Sequence, residues 1–297
     1  MKQHYKDIHR TRKPMSSGYM EAVHFGDVGK PIQLIFLHAN GFTGLSYRSI
    51  LEPISVQDGM HIVALNLRGH GATDLPIDDA KRASHTNHAK DLAAYLRAHI
   101  DGSVVVAGHS LGANTAIIAA GMVPHKIAKV LAFDPVVLPV SARFVMSSHM
   151  GRRHLMKNFP IAKNAGRRRD KFSSHQDVFK RYHGRGPFKH FPEEVLKDYI
   201  HDAFVEQADG VQLACRPRWE QLGYVTQPQN MKRHIAALPT GSRVLITDFI
   251  KQSEGWMARA QRKNPELRID YYPDKDHFFP LTEPDVSIAA LQDILGS

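Results

Sequence analysis

The sequence predicts an α/β fold: a mostly parallel central sheet flanked by helices and interrupted once by a helical insertion. Three observations carry that prediction. Short apolar runs alternate with helical periodicity between residues 32 and 133. Residues 141–230 then lack any strong strand signal and are rich in Arg, His and aromatic side chains. Strand signals return at Arg243–Phe249 and Leu267–Tyr272.

Taken in order, residues 1–18 read as a loose N-terminal tail, polar and basic. Ile32–His38 and His61–Leu67 are apolar enough for strands buried on both faces. A helix fits between them, over Leu45–Val56. His85–Ile100 places Ala89, Leu92, Ala93, Leu96 and Ile100 on one helical face. Ser103–Ala107 is a short strand, Ala113–Gly121 an apolar helix, and Lys129–Phe133 a strand ended by Asp134-Pro135. A last amphipathic helix covers Asp285–Leu295. The expected organisation is therefore a core over 19–140 and 231–297, with 141–230 inserted.

Composition narrows the class. The chain has 297 residues, 42% of them hydrophobic and 23% charged, an ordinary globular balance. Cys215 is the only cysteine, so no intrachain disulfide can form. The N-terminus lacks the apolar core of a secretory signal, and no apolar run approaches a bilayer span. A soluble, cytoplasmic protein is expected. The net charge is +10, and residues 151–190 hold 12 Lys+Arg against 2 Asp+Glu, while the rest of the chain is balanced. That segment is either a solvated helical face or a surface for an anionic partner, which could be an acidic substrate, nucleic acid or anionic lipid; salt would slow turnover of an anionic substrate by screening. No nucleic-acid recognition motif accompanies the charge, so no nucleic-acid partner is expected. No Cys/His cluster resembles a zinc site, and no G-x-G-x-x-G follows a strand; no metal and no organic cofactor are expected.

The chemistry concentrates in Gly108-His109-Ser110-Leu111-Gly112, a G-x-S-x-G between a strand and a helix. A serine on so sharp a turn projects its hydroxyl, and the crowded backbone requires small neighbours. The helix that follows points its positive end at the site, and the Leu111 N–H is a natural oxyanion donor. Ser110 needs a base to take its proton. His277, in the loop between the last strand and the last helix, is at the right sheet edge.

With these segments the chain resembles the α/β-hydrolase superfamily, in its branch with a helical cap. His38-Ala39-Asn40-Gly41-Phe42 is similar to the family's oxyanion loop, and Asn66 to Asp74 (NLRGHGATD) to its D-x-R-G-x-G-x-S-D loop. Asp276-His277-Phe278 followed by Pro280 to Pro284 resembles its catalytic-histidine turn. The resemblance implies the α/β-hydrolase fold and a serine hydrolase acting on an ester or thioester, with Ser110 as nucleophile and His277 as base. It implies Asn40 as the second oxyanion donor, with Phe42 as the neighbouring alternative.

The acid is open. The family's usual position after the post-cap strand holds Lys251, and Asp248 and Glu254 flank it. A second position in the superfamily, after the strand that follows the nucleophile helix, holds Asp134, which is preferred. Among the other polar residues, Arg68 and His38 are expected to brace loops, His109 to pack, and His70 either to brace or to line the site. The insertion is expected to fold over the site. Its candidate linings are Phe144, Met146, Met150, Phe172, Phe179, Tyr182, Phe188, Phe191, Tyr199, Phe204, Trp219 and Tyr224, unless most of them form the cap's own core. Arg167-Arg168-Arg169 either attracts an anionic substrate or solvates a helix. The rival readings are carbon–carbon bond hydrolysis or cofactor-free perhydrolysis on the same triad, and a non-catalytic binding protein on the same fold.

Overall fold

A computed structural model of the chain describes residues 5, 7–77, 81, 83–138, 140–226, 230–248 and 255–296. Its first half runs β1 (Arg10–Met15), β2 (Gly18–Gly26), β3 (Ile32–Leu37), α1 (Arg48–Gln57), β4 (His61–Leu65), α2 (His85–His99), β5 (Val104–His109), α3 (Leu111–Met122) and β6 (Ile127–Phe133). The insertion holds α4 (Val140–Ser147), α5 (His149–Asn158), α6 (Pro160–Gly166), β7 (Lys171–Phe172), α7 (His175–Tyr182), α8 (Glu193–Ala203), β8 (Phe204–Gln207), β9 (Gly210–Leu213) and α9 (Pro217–Val225). The chain finishes with α10 (Met231–Ala236), β10 (Arg243–Thr247), α11 (Gly255–Lys263), β11 (Arg268–Tyr272), α12 (Phe279–Thr282) and α13 (Pro284–Gly296).

The main sheet has eight strands in the order β1-β2-β4-β3-β5-β6-β10-β11. All pairings from β4 to β11 are parallel, and β1 and β2 add an antiparallel edge. The central strands are largely apolar because both faces are covered. On one face Leu92, Leu96, Ile117 and Val244 belong to one buried cluster; on the other Phe36, Leu51, Phe133 and Leu291 belong to a second. Strand order reverses between β3 and β5. The loops leaving their carboxyl ends diverge there and open a crevice, the general ligand position in open α/β sheets.

One expectation changes, and one feature is added. Residues 1–18 are not wholly a loose tail: Arg10–Met15 pairs with Gly18–Gly26. An edge strand needs no apolar run, and it tolerates Pro14, so the signal was absent. The insertion is largely helical, as expected, and adds strands that the sequence does not signal. β7, β9 and β8 form a small antiparallel sheet, with strands of only 2 to 4 residues, too short to show a period. Among the described residues no helix is long and apolar enough to cross a membrane.

Candidate active site

The turn from β5 into α3 is strained at its apex. Ser110 has φ 53° and ψ −109°, outside the ordinary regions for an L-residue. The turn is possible because its flanks lack side chains. A Cβ on Gly112 would lie 2.1 Å from the Leu37 carbonyl oxygen, and one on Gly108 would lie 2.5 Å from Gly112. The Ser110 N–H is tied down by the Phe133 carbonyl at 3.0 Å. Leu111 is the first residue of α3, so its N–H has no partner one helical turn back.

Asp134 follows β6, is fully buried and has φ 45°. Its N–H donates to Leu245 at 2.8 Å, which fixes the turn against β10. Oδ1 accepts the Thr247 N–H at 2.8 Å, and Oδ2 accepts the Thr247 hydroxyl at 2.9 Å. Oδ2 also accepts Nδ1–H of His277 at 2.6 Å. A proton held on Nδ1 puts the basic lone pair of the ring on Nε2. Of the other carboxylates weighed, Asp248 is exposed and accepts the Tyr271 hydroxyl instead. Glu254 and Lys251 lie outside the described residues.

The loop after β3 sorts its own donors. The Phe42 N–H donates back to Ala39 at 3.1 Å, and the Gly41 N–H donates to Nε2 of His70 at 3.0 Å. Among the described residues the Asn40 N–H has no acceptor within the protein. Phe42 is thereby withdrawn as a donor. The Asn40 side chain reaches into the insertion, donating to the Glu220 carbonyl at 2.8 Å.

The histidines around this loop are structural and neutral. His38 donates from Nδ1 to Ala39 and accepts from Leu67; His70 donates from Nδ1 to Arg68. His109 was expected only to pack. Instead its Nε2–H donates to the His277 carbonyl at 2.7 Å, and its Nδ1 accepts the Tyr47 hydroxyl at 2.7 Å. Tyr47 in turn accepts the Ala39 N–H at 3.2 Å. One buried relay thus joins the loop after β3, the serine turn and the histidine loop. A neighbour in sequence was legible; the direction of its ring was not. Arg68 grips Asp91 through two hydrogen bonds, 2.8 and 2.7 Å long, and does not line the cavity.

Burial pushes the imidazoles of His70 and His85 down to about 4, and holds those of His38 and His109 well below the usual range. The unfolded chain binds these protons near pH 6.5 and the folded chain does not. Stability is therefore intact above pH 6.5 and falls as pH drops toward 4. The expected loss at pH 5 is about 2 kcal/mol per histidine for His70 and His85. Urea midpoints at pH 7, 6 and 5 measure it; a flat midpoint would contradict the burial of these rings as neutral bases.

Ser110, Leu111, Asn40 and His277 line one cavity of about 600 Å³. The rest of its wall is largely apolar: Val136, Val137 and Leu138 from the core, and Met146, Leu155, Phe159, Ile161 and Tyr224 from the insertion. Of the aromatic and Met candidates in the insertion, Met146 and Tyr224 reach the cavity. Phe172, Phe188, Phe191, Tyr199 and Phe204 are buried in the packing between the insertion and the core, with Phe179 and Tyr182 against them. Trp219 packs beside Leu222 and Val225. Phe144 and Met150 face solvent. Leu155, Phe159 and Ile161 were missed because nothing in a short helix marks which face meets a ligand.

No Lys or Arg is among the described lining residues, so the expectation of an anionic substrate finds no cation there. Arg168 is held by Glu220 at 2.9 Å, by Tyr182 and by Tyr199; Arg169 stacks over Phe172, and Arg167 is exposed. Among the described residues no cluster of three His, Cys, Asp or Glu is placed to hold a metal ion.

Comparison with known proteins agrees with this architecture. A sequence model described as "Alpha/beta hydrolase family" matches residues 34–290. A 106-residue stretch is 32% identical to a 2-(acetamidomethylene)succinate hydrolase of Mesorhizobium japonicum, covering 35% of each chain. Another of 105 residues is 30% identical to a probable protein phosphatase methylesterase 1 of Caenorhabditis elegans, covering 34% of this chain and 28% of that one. The chain thus spans about a third of the length of the curated relatives it matches. Among solved structures, an E-2-(acetamidomethylene)succinate hydrolase superposes with a TM-score of 0.75 at 15% identity, covering 98% of this chain and all of that one. A thioesterase domain from the curacin biosynthetic pathway gives 0.71 at 14% identity, covering 98% and 100%. At these identities the structural likeness speaks for the fold.

Proposed function

The chain belongs to the alpha/beta hydrolase family, and from that premise we propose that it is a serine hydrolase cleaving a neutral, apolar carboxylic ester or thioester through an acyl-enzyme. The observation that carries the reading is the Asp134–His277 hydrogen bond in the wall of the cavity that Ser110 lines. Asp134 orients His277 and stabilises the imidazolium. Nε2 of His277 takes the Ser110 proton as Oγ attacks the acyl carbon. The Asn40 and Leu111 N–H groups receive the oxyanion. The same proton then passes to the departing alcohol or thiol. Water, activated by His277, attacks the acyl carbon, and the acid leaves with Ser110 regenerated. Residues 141–230 act as the cap that supplies the acyl pocket.

The apolar wall supports a neutral substrate. A succinate carries two carboxylates, and a site for one needs paired cations, which the described lining lacks. The test is a p-nitrophenyl ester series from acetyl to palmitoyl, with covalent labelling by a fluorophosphonate probe. Turnover, release of alcohol and acid, and a probe adduct on Ser110 are expected. Turnover only of carbon–carbon or perhydrolytic substrates would overturn the ester assignment; absence of both labelling and turnover would overturn catalysis.

A further inference from the structure

One stretch of the insertion has a composition that the chemistry of the cavity does not use. Residues 135–169 contain 8 Lys+Arg and no Asp or Glu. Within that stretch α4 and α5 leave large apolar side chains in water: Phe144 is 74% exposed and Met150 82%. Beside them Arg153 and Lys157 are exposed on α5. The patch is continuous with the cavity, because Val145, Phe159 and Ile161 are both partly exposed and part of its wall.

We propose that this face docks on an anionic lipid surface, and that the cavity draws its ester from that surface. Bulky apolar side chains flanked by cations on short amphipathic helices suit the boundary between headgroups and acyl chains. Each cation near an anionic leaflet adds attraction that salt weakens. Scattered apolar residues on a surface are ordinary, but these border the mouth of an apolar pocket. An ester entering past Val145, Phe159 and Ile161 stays in contact with apolar atoms from the bilayer to Ser110. A second copy of the chain is a poorer occupant, because a two-fold contact sets like charges against each other. An acidic protein would match the cations and leave Phe144 and Met150 unused. The docking rests on the surface alone; the lipid-borne substrate rests on the ester-hydrolase reading above.

The experiment is co-sedimentation with phosphatidylcholine vesicles, with and without about 30 mol% phosphatidylglycerol. Wild type is expected to partition roughly tenfold more strongly onto the anionic vesicles, and less as salt rises. Phe144→Ser with Met150→Ser should lower that partition roughly tenfold. Neither residue lines the cavity, so turnover of soluble p-nitrophenyl acetate without vesicles should be unchanged, which also reports a folded variant. Arg153→Gln with Lys157→Gln should remove the preference for the anionic lipid. Equal partition of wild type and the Phe144/Met150 variant would overturn the docking. So would no partition, whether or not light scattering finds a dimer that the same variant abolishes. In those cases turnover of p-nitrophenyl acetate leaves the ester-hydrolase reading standing. Partition without turnover of any ester would support the docking and remove the substrate half.

Discussion

Ser110→Ala is expected to reduce kcat on p-nitrophenyl butyrate by about 10⁶ while leaving the fold intact. The size follows from its position. Ser110 is the only hydroxyl-bearing residue of the Gly108–Gly112 turn, and its strained φ is set by backbone bonds on either side rather than by its side chain. Alanine tolerates the same backbone at a similar cost, so the thermal midpoint should change little. What is lost, on the proposed mechanism, is the acyl-enzyme route. The oxyanion donors remain and sustain only a residual rate above water. The measurement is kcat together with mass spectrometry of the fluorophosphonate adduct. Turnover within tenfold of wild type would remove Ser110 from the mechanism.

Asp134→Asn is expected to reduce kcat by about 10⁴, and Asp248→Asn to leave it within about twofold of wild type. The reason is a count of lone pairs. Asp134 accepts from the Thr247 N–H, the Thr247 hydroxyl and His277. An amide offers one acceptor oxygen and an NH₂ donor. If the oxygen keeps the Thr247 N–H, the NH₂ faces Nδ1 of His277. The ring must then put its proton on Nε2, where the base needs a lone pair. Asp248 also borders the cavity, but it stands at an exposed strand end and accepts the Tyr271 hydroxyl, away from the Thr247 groups that fix Asp134. The reverse result, with Asp248→Asn inactive and Asp134→Asn active, would reassign the acid.

What was legible in the sequence has a common physical source. β3, β4 and β5 read as apolar runs because both faces of the sheet are covered. The Gly108 and Gly112 positions read as a turn because no side chain fits against Leu37 or between the two glycines. The hidden parts are those whose partner lies far along the chain. β1 makes an edge strand from RTRKPM because β2 supplies the pairing. Asp134 and Asp248 both end strands in the sequence; only the adjacency of β6 and β10 gives one of them Thr247 and His277. The ring of His109 could be placed only once Tyr47 and the His277 carbonyl were on either side of it. In the insertion, aromatic residues that pack the protein and apolar residues that line the cavity have the same chemistry, so composition does not separate them.

The bond from Asn40 to Glu220 has a bearing on modularity. An insertion of this kind invites treatment as an exchangeable lid, a part that changes what is bound and not how it is cleaved. Here α9 holds the side chain of Asn40 through the Glu220 carbonyl, and Gly223 packs so tightly that a Cβ there would lie 2.7 Å from that amide. A graft of a foreign insertion would bring its own helix in place of α9 and lose both contacts. On the proposed mechanism, selectivity and rate are inherited together, and variation that reshapes the pocket through α9 is constrained by the loop it supports.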